Sequence, residues 1–144
     1  MAGGIAIGLG MDKTGLLQRM VASIPFETFS PYLVVVLAGL LALVLSTFMS
    51  NTAAANLLMP LMAAPAVGLK GLDALGGAVG LLLVVTFSCS LAMSLPISTP
   101  PNALAMATGT VETRDMAKAG ILVGIVGFAM IFVMLWLGRL VGIF

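Results

Sequence analysis

The order of apolar and polar positions divides the chain into long uncharged passages separated by short charged islands. The passages cover residues 28–69, 74–111 and 119–138, which contain no Asp, Glu, Lys or Arg. We expect the passages to lie in an apolar environment and the islands to mark where the chain meets water. The islands are Asp12, Lys13, Arg19 and Glu27; Lys70 and Asp73; Glu112, Arg114, Asp115 and Lys118; and Arg139.

The passage 119–138 has the length of one membrane crossing. Its 20 residues, at about 1.5 Å of rise each, match a hydrocarbon layer about 30 Å thick. Trp136 and Arg139 lie at its end, where interfacial anchors are expected. The pattern therefore predicts a transmembrane helix.

The passage 28–69 is about twice as long and is interrupted by Ser50, Asn51 and Thr52. This pattern predicts two helices, over 31–49 and 51–69, joined by a tight turn. Both ends of the pair would then lie on one side of the membrane. Whether the turn reaches the far face or stops halfway, as a re-entrant hairpin, is left open by the pattern.

The passage 74–111 is interrupted later, at the sequence PISTPPNA, and about nine residues remain before the next charge. Nine helical residues are too few to cross a bilayer. We therefore expect one crossing by a broken helix, with Pro96, Pro100 and Pro101 ending its first segment. The mixed pattern of residues 12–27 predicts an amphipathic helix in the interface, with a soluble-type loop helix as the alternative.

Composition identifies an all-α membrane protein and excludes several function classes. The chain is 61% hydrophobic and 8% charged, whereas soluble domains are about a quarter charged. A net charge of +1 gives no basic patch for nucleic acid. With no histidine and one cysteine, the chain has neither an internal disulfide nor a soft-metal cluster. No enzyme is expected, because Cys89 and its hydroxyl neighbours lack a partnering base and are interpreted as packing residues.

The two interruptions carry the chemistry of a transport site. Irregular backbone at membrane depth is tolerated only where protein buries it or where it lines an aqueous cavity. A helix end offers free carbonyls to a small cation, and a helix start offers N–H groups to an anion. We expect both interruptions, at residues 50–52 and 98–102, to be equipped alike. The alternative is that the hydroxyls and amides only bond neighbouring backbone and that the prolines only kink a helix.

Three segments resemble the C-terminal half of the divalent anion:sodium symporter family, the sodium-coupled di- and tricarboxylate and sulfate carriers. They are SNTAAANLLMP at 50–60, SLPISTPPNALAMATG at 94–109 and GGIAIGLGMDKTG at 3–15. The resemblance covers nearly the whole chain in order and spacing, and the first two motifs make it specific.

The resemblance implies a fold that is half of an inverted-repeat ion transporter, with a re-entrant helical hairpin and a broken transmembrane helix. The chain, 1–144, would then be one C-terminal half of a transport domain. Its parts would be the end of a transmembrane helix (1–11), an interfacial helix (12–27), the re-entrant hairpin (31–69), the broken helix (74–111) and the last transmembrane helix (119–138).

The resemblance also implies a binding site at the two interruptions. The residues expected to contact a substrate carboxylate are Ser50, Asn51, Thr52, Thr99 and Pro100. Sodium, as the coupling ion and with no further cofactor, would be held by Ser46, the backbone of Met49, Asn51 and the backbone of Ser98.

The implied function is sodium-coupled secondary transport of a small divalent anion, with this chain supplying half of the site. The family completes its site with a second Ser-Asn-Thr hairpin from the other half. We therefore expect a missing N-terminal half or a partner chain, a homodimer when complete, and a place in the inner or plasma membrane. Two alternatives are a truncated or split half with a structural or regulatory role, and a sodium-independent anion exchanger. The few charges do not settle orientation.

Overall fold

The computed structural model describes residues 13–15, 19, 29–69 and 71–142. Within these ranges every regular element is a helix, as an all-α protein requires. The elements are α1 (Pro31–Phe48), α2 (Asn51–Gly68), a 3-10 helix (Leu72–Leu75), α3 (Gly77–Ser90), α4 (Pro100–Ala107) and α5 (Thr113–Val141). The predicted segment 1–11 and most of 12–27 lie outside the described residues.

Local signals in the sequence fix where the first helices begin and end. The Ser30 side chain caps α1 by accepting a hydrogen bond from the Leu33 N–H at 3.4 Å. The helix ends before Met49, whose backbone is extended. Ser50 then caps α2, because its Oγ accepts from the Ala53 N–H at 3.2 Å. Met49 and Ser50, called the α1–α2 connection below, are the whole link between two 18-residue helices.

Helix α3 is the centre of the fold, because it packs against both α1 and α2 and is crossed by α5. The side chains between these helices are mostly small or branched and apolar, which allows the helices to approach closely. The most buried of them include Val35, Ala38 and Ala42 from α1, Ala54, Leu58 and Met62 from α2, Leu81, Val84 and Val85 from α3, and Ile131 and Leu135 from α5.

Among the described residues, two helices, α1 and α5, are long and apolar enough to cross a membrane. Only 33% of the apolar window of α1 and 22% of that of α5 are buried inside the protein. The remaining surface of α5 is a broad band of exposed apolar side chains, including Leu122, Ile125 and Met130. Such a surface is costly in water and favourable in hydrocarbon, so it is typical of a lipid-facing helix.

Helix α5 is longer than the predicted span of 119–138, since it starts at Thr113 inside a charged island. Asp115 lies in its first turn and Arg139 in its last, and both charges are favourable to the helix dipole. Gly142, with a φ of 72°, ends the helix in the left-handed conformation that glycine adopts without strain. Charged residues thus extend the helix beyond its apolar part.

The prediction that prolines end the first segment of the broken helix is wrong. Helix α3 ends at Ser90, well before Pro96, and residues 91–99, called the α3–α4 break below, separate it from α4. Pro100 and Pro101 instead occupy the first positions of α4, where a missing N–H and a fixed φ favour helix initiation. The end of α3 is set by contacts with other helices, described below.

One side chain ties the α3–α4 break to the end of α1. Ser98 is 1% exposed, and its Oγ donates a hydrogen bond to the Thr47 carbonyl at 3.1 Å. That carbonyl lies in the last turn of α1, where helical partners are lacking. The Ser98 hydroxyl therefore satisfies a helix end and holds the break against α1.

We expect Gly39→Ala to destabilise the fold by about 1–3 kcal/mol, the usual effect of overpacking a core. A Cβ on Gly39 would lie 2.7 Å from Cε2 of Phe128 and 2.8 Å from Cγ1 of Val84, where α1, α3 and α5 meet. The measurement is the temperature at which buried Cys89, 1% exposed, begins to react with a thiol-specific dye in detergent.

Gly124→Ala is the matched control, since its Cβ would meet nothing closer than 3.8 Å. Equal midpoints for the two variants would contradict the packing argument.

Ser98→Ala should lower the same thermal midpoint by the equivalent of about 1 kcal/mol, because it removes the hydrogen bond to Thr47. Ser94→Ala in the same break is the control, since Ser94 is only partly buried and its hydroxyl makes no hydrogen bond within the described residues. A thermal midpoint for Ser98→Ala as high as that of Ser94→Ala would show that the hydrogen bond from Ser98 to Thr47 does not stabilise the protein.

Candidate functional site

The candidate site lies where the α1–α2 connection meets the α3–α4 break. Ser46, in the last turn of α1 and fully buried, has its Oγ 2.8 Å from Oδ1 of Asn51 and 2.8 Å from the Cys89 carbonyl oxygen. Three oxygen atoms, one each from α1, α2 and α3, therefore meet at this point.

This cluster has more acceptors than donors. A serine hydroxyl carries one hydrogen, so it donates to either Oδ1 of Asn51 or the Cys89 carbonyl but not to both. Neither of those two oxygens brings a hydrogen of its own. The cluster is consequently rich in lone pairs, which is the property that a small hard cation requires of its ligands.

Asn51 connects the two ends of the α3–α4 break. Its Nδ2 donates to the Ser90 carbonyl at 3.4 Å, at the end of α3. Its backbone N–H donates to the Ser98 carbonyl, also at 3.4 Å, just before α4. One residue at the start of α2 therefore supplies donors to both edges of the interruption in the other element.

Three of the four residues expected to hold sodium are thus joined by hydrogen bonds: Ser46, Asn51 and Ser98. The fourth, Met49, lies on the α1–α2 connection with its side chain 3% exposed. No hydrogen bond within the described residues uses the Met49 carbonyl.

The residues expected to contact substrate are divided between two helix starts. Ser50 is the cap of α2, Asn51 its first residue and Thr52 the next. Thr52 is exposed, and its backbone N–H has no hydrogen-bond partner among the described residues. The start of α2 therefore presents a free N–H, a hydroxyl and the positive end of an 18-residue helix, which together favour an anion.

The start of α4 is different, which corrects the expectation that the two interruptions are equipped alike. Pro100 and Pro101 have no N–H, and the Asn102 N–H already donates to the Thr99 Oγ1 at 3.4 Å. The next N–H, that of Ala103, donates to the Thr99 carbonyl at 3.2 Å. Thr99 and Pro100 can therefore border a ligand, but the first turn of α4 has no backbone N–H to offer it.

Sequence reasoning missed two groups that build this site. The Cys89 and Ser90 carbonyls are main-chain atoms, so side-chain type gave no sign of them. Asn102 was noticed only as part of a polar cluster. Its Nδ2 donates to the Met93 carbonyl at 2.8 Å and to the Leu95 carbonyl at 3.2 Å, which fastens α4 to the break.

Comparison with known proteins shows the family of the chain. The family described as the sodium:sulfate symporter transmembrane region matches residues 1–144. The Na(+)/dicarboxylate cotransporter 3 of Rattus norvegicus is 33% identical over 128 residues, which are 88% of this chain and 20% of the relative. The Na(+)/citrate cotransporter of the same species is 30% identical over 135 residues, 92% of this chain and 22% of the relative.

A sodium-dependent low-affinity dicarboxylate transporter 1 of Caenorhabditis elegans is 30% identical over 141 residues, 96% of this chain and 23% of the relative. The chain thus spans about a fifth of the length of the curated relatives it matches. These relatives are transporters rather than enzymes, and the family match extends over every residue of the chain. The chain belongs to the sodium:sulfate symporter family of membrane proteins.

Proposed function

We propose that the chain takes part in sodium-coupled secondary transport of a small divalent anion, a di- or tricarboxylate or sulfate, and supplies half of the binding site. The observation that carries this proposal is the meeting of Ser46 and Asn51 with the carbonyls at the end of α3. The relatives, whose names state sodium-dependent dicarboxylate and citrate transport, support the same reading.

The sodium ligands in this proposal are the Ser46 hydroxyl, Oδ1 of Asn51 and the carbonyls of Met49 and Ser98. If the Ser46 hydrogen points to the Cys89 carbonyl, the Ser46 lone pairs and Oδ1 of Asn51 are left facing each other without a hydrogen between them. A cation resolves that mismatch. All these ligands are neutral, so the ion adds a full positive charge beside the substrate.

The substrate would be held by Ser50, Asn51 and Thr52, with Thr99 and Pro100 as the facing wall. Because Thr52 keeps a free N–H and α2 directs its positive end to this point, most of the attraction for the anion comes from the α2 side. No Lys or Arg occurs in 28–69 or 74–111, so dipoles, hydroxyls and the coupled sodium replace a fixed countercharge.

Coupling follows from the position of Asn51 in both parts of the site. Its side-chain oxygen faces the sodium ligands, while its backbone N–H and amide nitrogen fix the two edges of the break. Sodium binding would therefore hold Asn51 and its neighbours Ser50 and Thr52 in place for the anion. Without sodium, the crowded acceptors would favour a different arrangement, and the anion would lose its partners.

The wider architecture is part of the same proposal. We take α1 and α2 as a re-entrant hairpin and α3 with α4 as a broken transmembrane helix, in one half of an inverted repeat. Thr52 and Pro100 are exposed, which leaves the site open on the side where the other half would close it. The complete carrier would be a homodimer in the inner or plasma membrane that moves its site by alternating access.

We expect Asn51→Ala to lower uptake of succinate and sulfate by more than about tenfold and to remove its sodium dependence, because both functions use this side chain. The measurement is uptake of each labelled anion, with and without sodium, by cells expressing the protein as its gene encodes it. Asn56→Ala is the control, since it deletes the same group from an exposed position one turn further along α2. Unchanged uptake by Asn51→Ala would remove the site assignment.

Replacing sodium by choline during uptake should reduce transport to background, because the Ser46–Asn51 cluster has no other cation of suitable size available. Uptake that persists in choline would favour the sodium-independent exchanger instead. Absence of uptake in both salts, with no sodium-dependent protection of Cys89 from the thiol dye, would favour a structural or regulatory half.

A further inference from the structure

Helix α5 passes directly over the α3–α4 break at Gly120. A Cβ at this position would lie 2.4 Å from Cα of Ser94, 2.6 Å from its nitrogen and 2.7 Å from the carbonyl carbon of Met93. These are all backbone atoms, so no side-chain rotation makes room. Only the absence of a side chain at Gly120 lets the peptide between Met93 and Ser94 lie where it does.

Two further glycines on the same face of α5 have different surroundings. A Cβ on Gly127 would lie 2.4 Å from Cδ2 of Leu91, which is the end of a flexible side chain. A Cβ on Gly124 would meet nothing closer than 3.8 Å. The three positions therefore form a graded series: close backbone contact at Gly120, close side-chain contact at Gly127 and ordinary van der Waals contact at Gly124.

The peptide that touches Gly120 is also the one that holds α4. The Met93 carbonyl accepts a hydrogen bond from Nδ2 of Asn102 at 2.8 Å, and the backbone N–H of Asn102 donates to Thr99. Since α4 has no buried residue of its own, the position of its first turn depends on this bond, on the neighbouring bond to Leu95 and on the two bonds that hold Ser98 just before it.

The contact between Gly120 and the break lies at the edge of an apolar cavity. This cavity of ≈ 520 Å³ lies between α1 and α5 and is bordered by the break itself. The side chains around it include Leu91, Ser94 and Leu95 from the break and Leu43 and Thr47 from α1. At the edge of this cavity, Gly120 is the residue of α5 that the Met93–Ser94 peptide approaches through its backbone.

We propose that Gly120 is a positioning residue for substrate binding, an inference that rests on the transport function proposed above. Gly120 fixes how closely α5 approaches the Met93–Ser94 peptide. Through Asn102 that peptide positions Thr99 and Pro100, together with the bonds of Ser98. An alanine would have to move the peptide by about 1 Å to reach ordinary contact. In enzymes, a misplacement of about this size can cost about a hundredfold in rate.

The first test is the anion concentration that gives half-maximal sodium-dependent uptake of succinate. Gly120→Ala should raise it by about tenfold or more, while Gly124→Ala should leave it within about twofold of the unsubstituted protein. The amount of each variant in the membrane is measured in parallel. A change confined to that amount or to the maximal rate, with the half-saturating concentration unchanged, would overturn the proposal.

The second test asks whether Gly120 acts through Asn102. In an Asn102→Ala background the bond to Met93 is already lost, so adding Gly120→Ala should raise the half-saturating concentration by less than about twofold. Independent, multiplying effects of the two substitutions would overturn the proposed route. If Gly120→Ala does not reach the membrane, Gly127→Ala is used in its place. Gly127→Ala should raise the half-saturating concentration by a smaller factor, and it should not raise it further in the Asn102→Ala background.

A third readout does not depend on transport. Ile97 is 58% exposed within the break, so an Ile97→Cys substitution gives a thiol that a membrane-impermeant maleimide can label, while Cys89 stays buried. Gly120→Ala should change the labelling rate several-fold, and Gly124→Ala should not. Equal rates would overturn the proposal even if uptake is absent, whereas loss of sodium-dependent uptake in the unsubstituted protein would count only against the proposed function.

Discussion

A carbonyl or N–H that leaves a helix in an apolar surrounding must find another partner, since no water is at hand and an unpaired group costs about several kcal/mol. The α3–α4 break leaves several backbone carbonyls and N–H groups without helical partners. Their partners come from other segments: Ser46 and Asn51 bond the end of α3, Asn102 bonds the middle of the break, and the Asn51 N–H bonds the Ser98 carbonyl. The Ser98 hydroxyl in turn bonds the end of α1. Each of these polar side chains stabilises the fold by bonding a backbone group. The candidate site is formed where these side chains and backbone groups come together.

That requirement explains how much the sequence could predict. Uncharged passages of known length predicted the helices, and Ser50 to Thr52 marked the place where α1 and α2 meet. The end of α3 could not be found in this way, because nothing in the sequence near Ser90 stops a helix. It ends there because Ser46 and Asn51, about forty residues away along the chain, donate hydrogen bonds to its last carbonyls. The absence of a side chain at Gly120 also leaves room for the backbone that follows the helix. Such long-range causes leave no local pattern.

Proline was the most misleading local signal. Its usual effect on a preceding helix suggested that the proline cluster ends α3, yet Pro100 and Pro101 begin α4. The same residues make the two helix starts unequal, since one keeps a free N–H at Thr52 and the other has none in its first turn. In the proposed site, an anion between the two helix starts would therefore be attracted mainly by α2, while Thr99 and Pro100 would only limit the space around it. The resemblance in sequence between the two motifs concealed this difference, because serine, threonine and asparagine occur in both.

The weak attachment of α4 has a mechanical consequence. This helix has no buried residue and packs only slightly on the other described helices, so a rigid interface does not hold it. Two bonds from a single amide, each contributing about 1 kcal/mol, fasten it to the break. An energy of that size is comparable to a few multiples of thermal energy, which makes α4 the element whose displacement requires the least work. In the proposed transport cycle, α4 is therefore the element expected to move most easily, whereas α3, which packs against α1, α2 and α5, would stay in place.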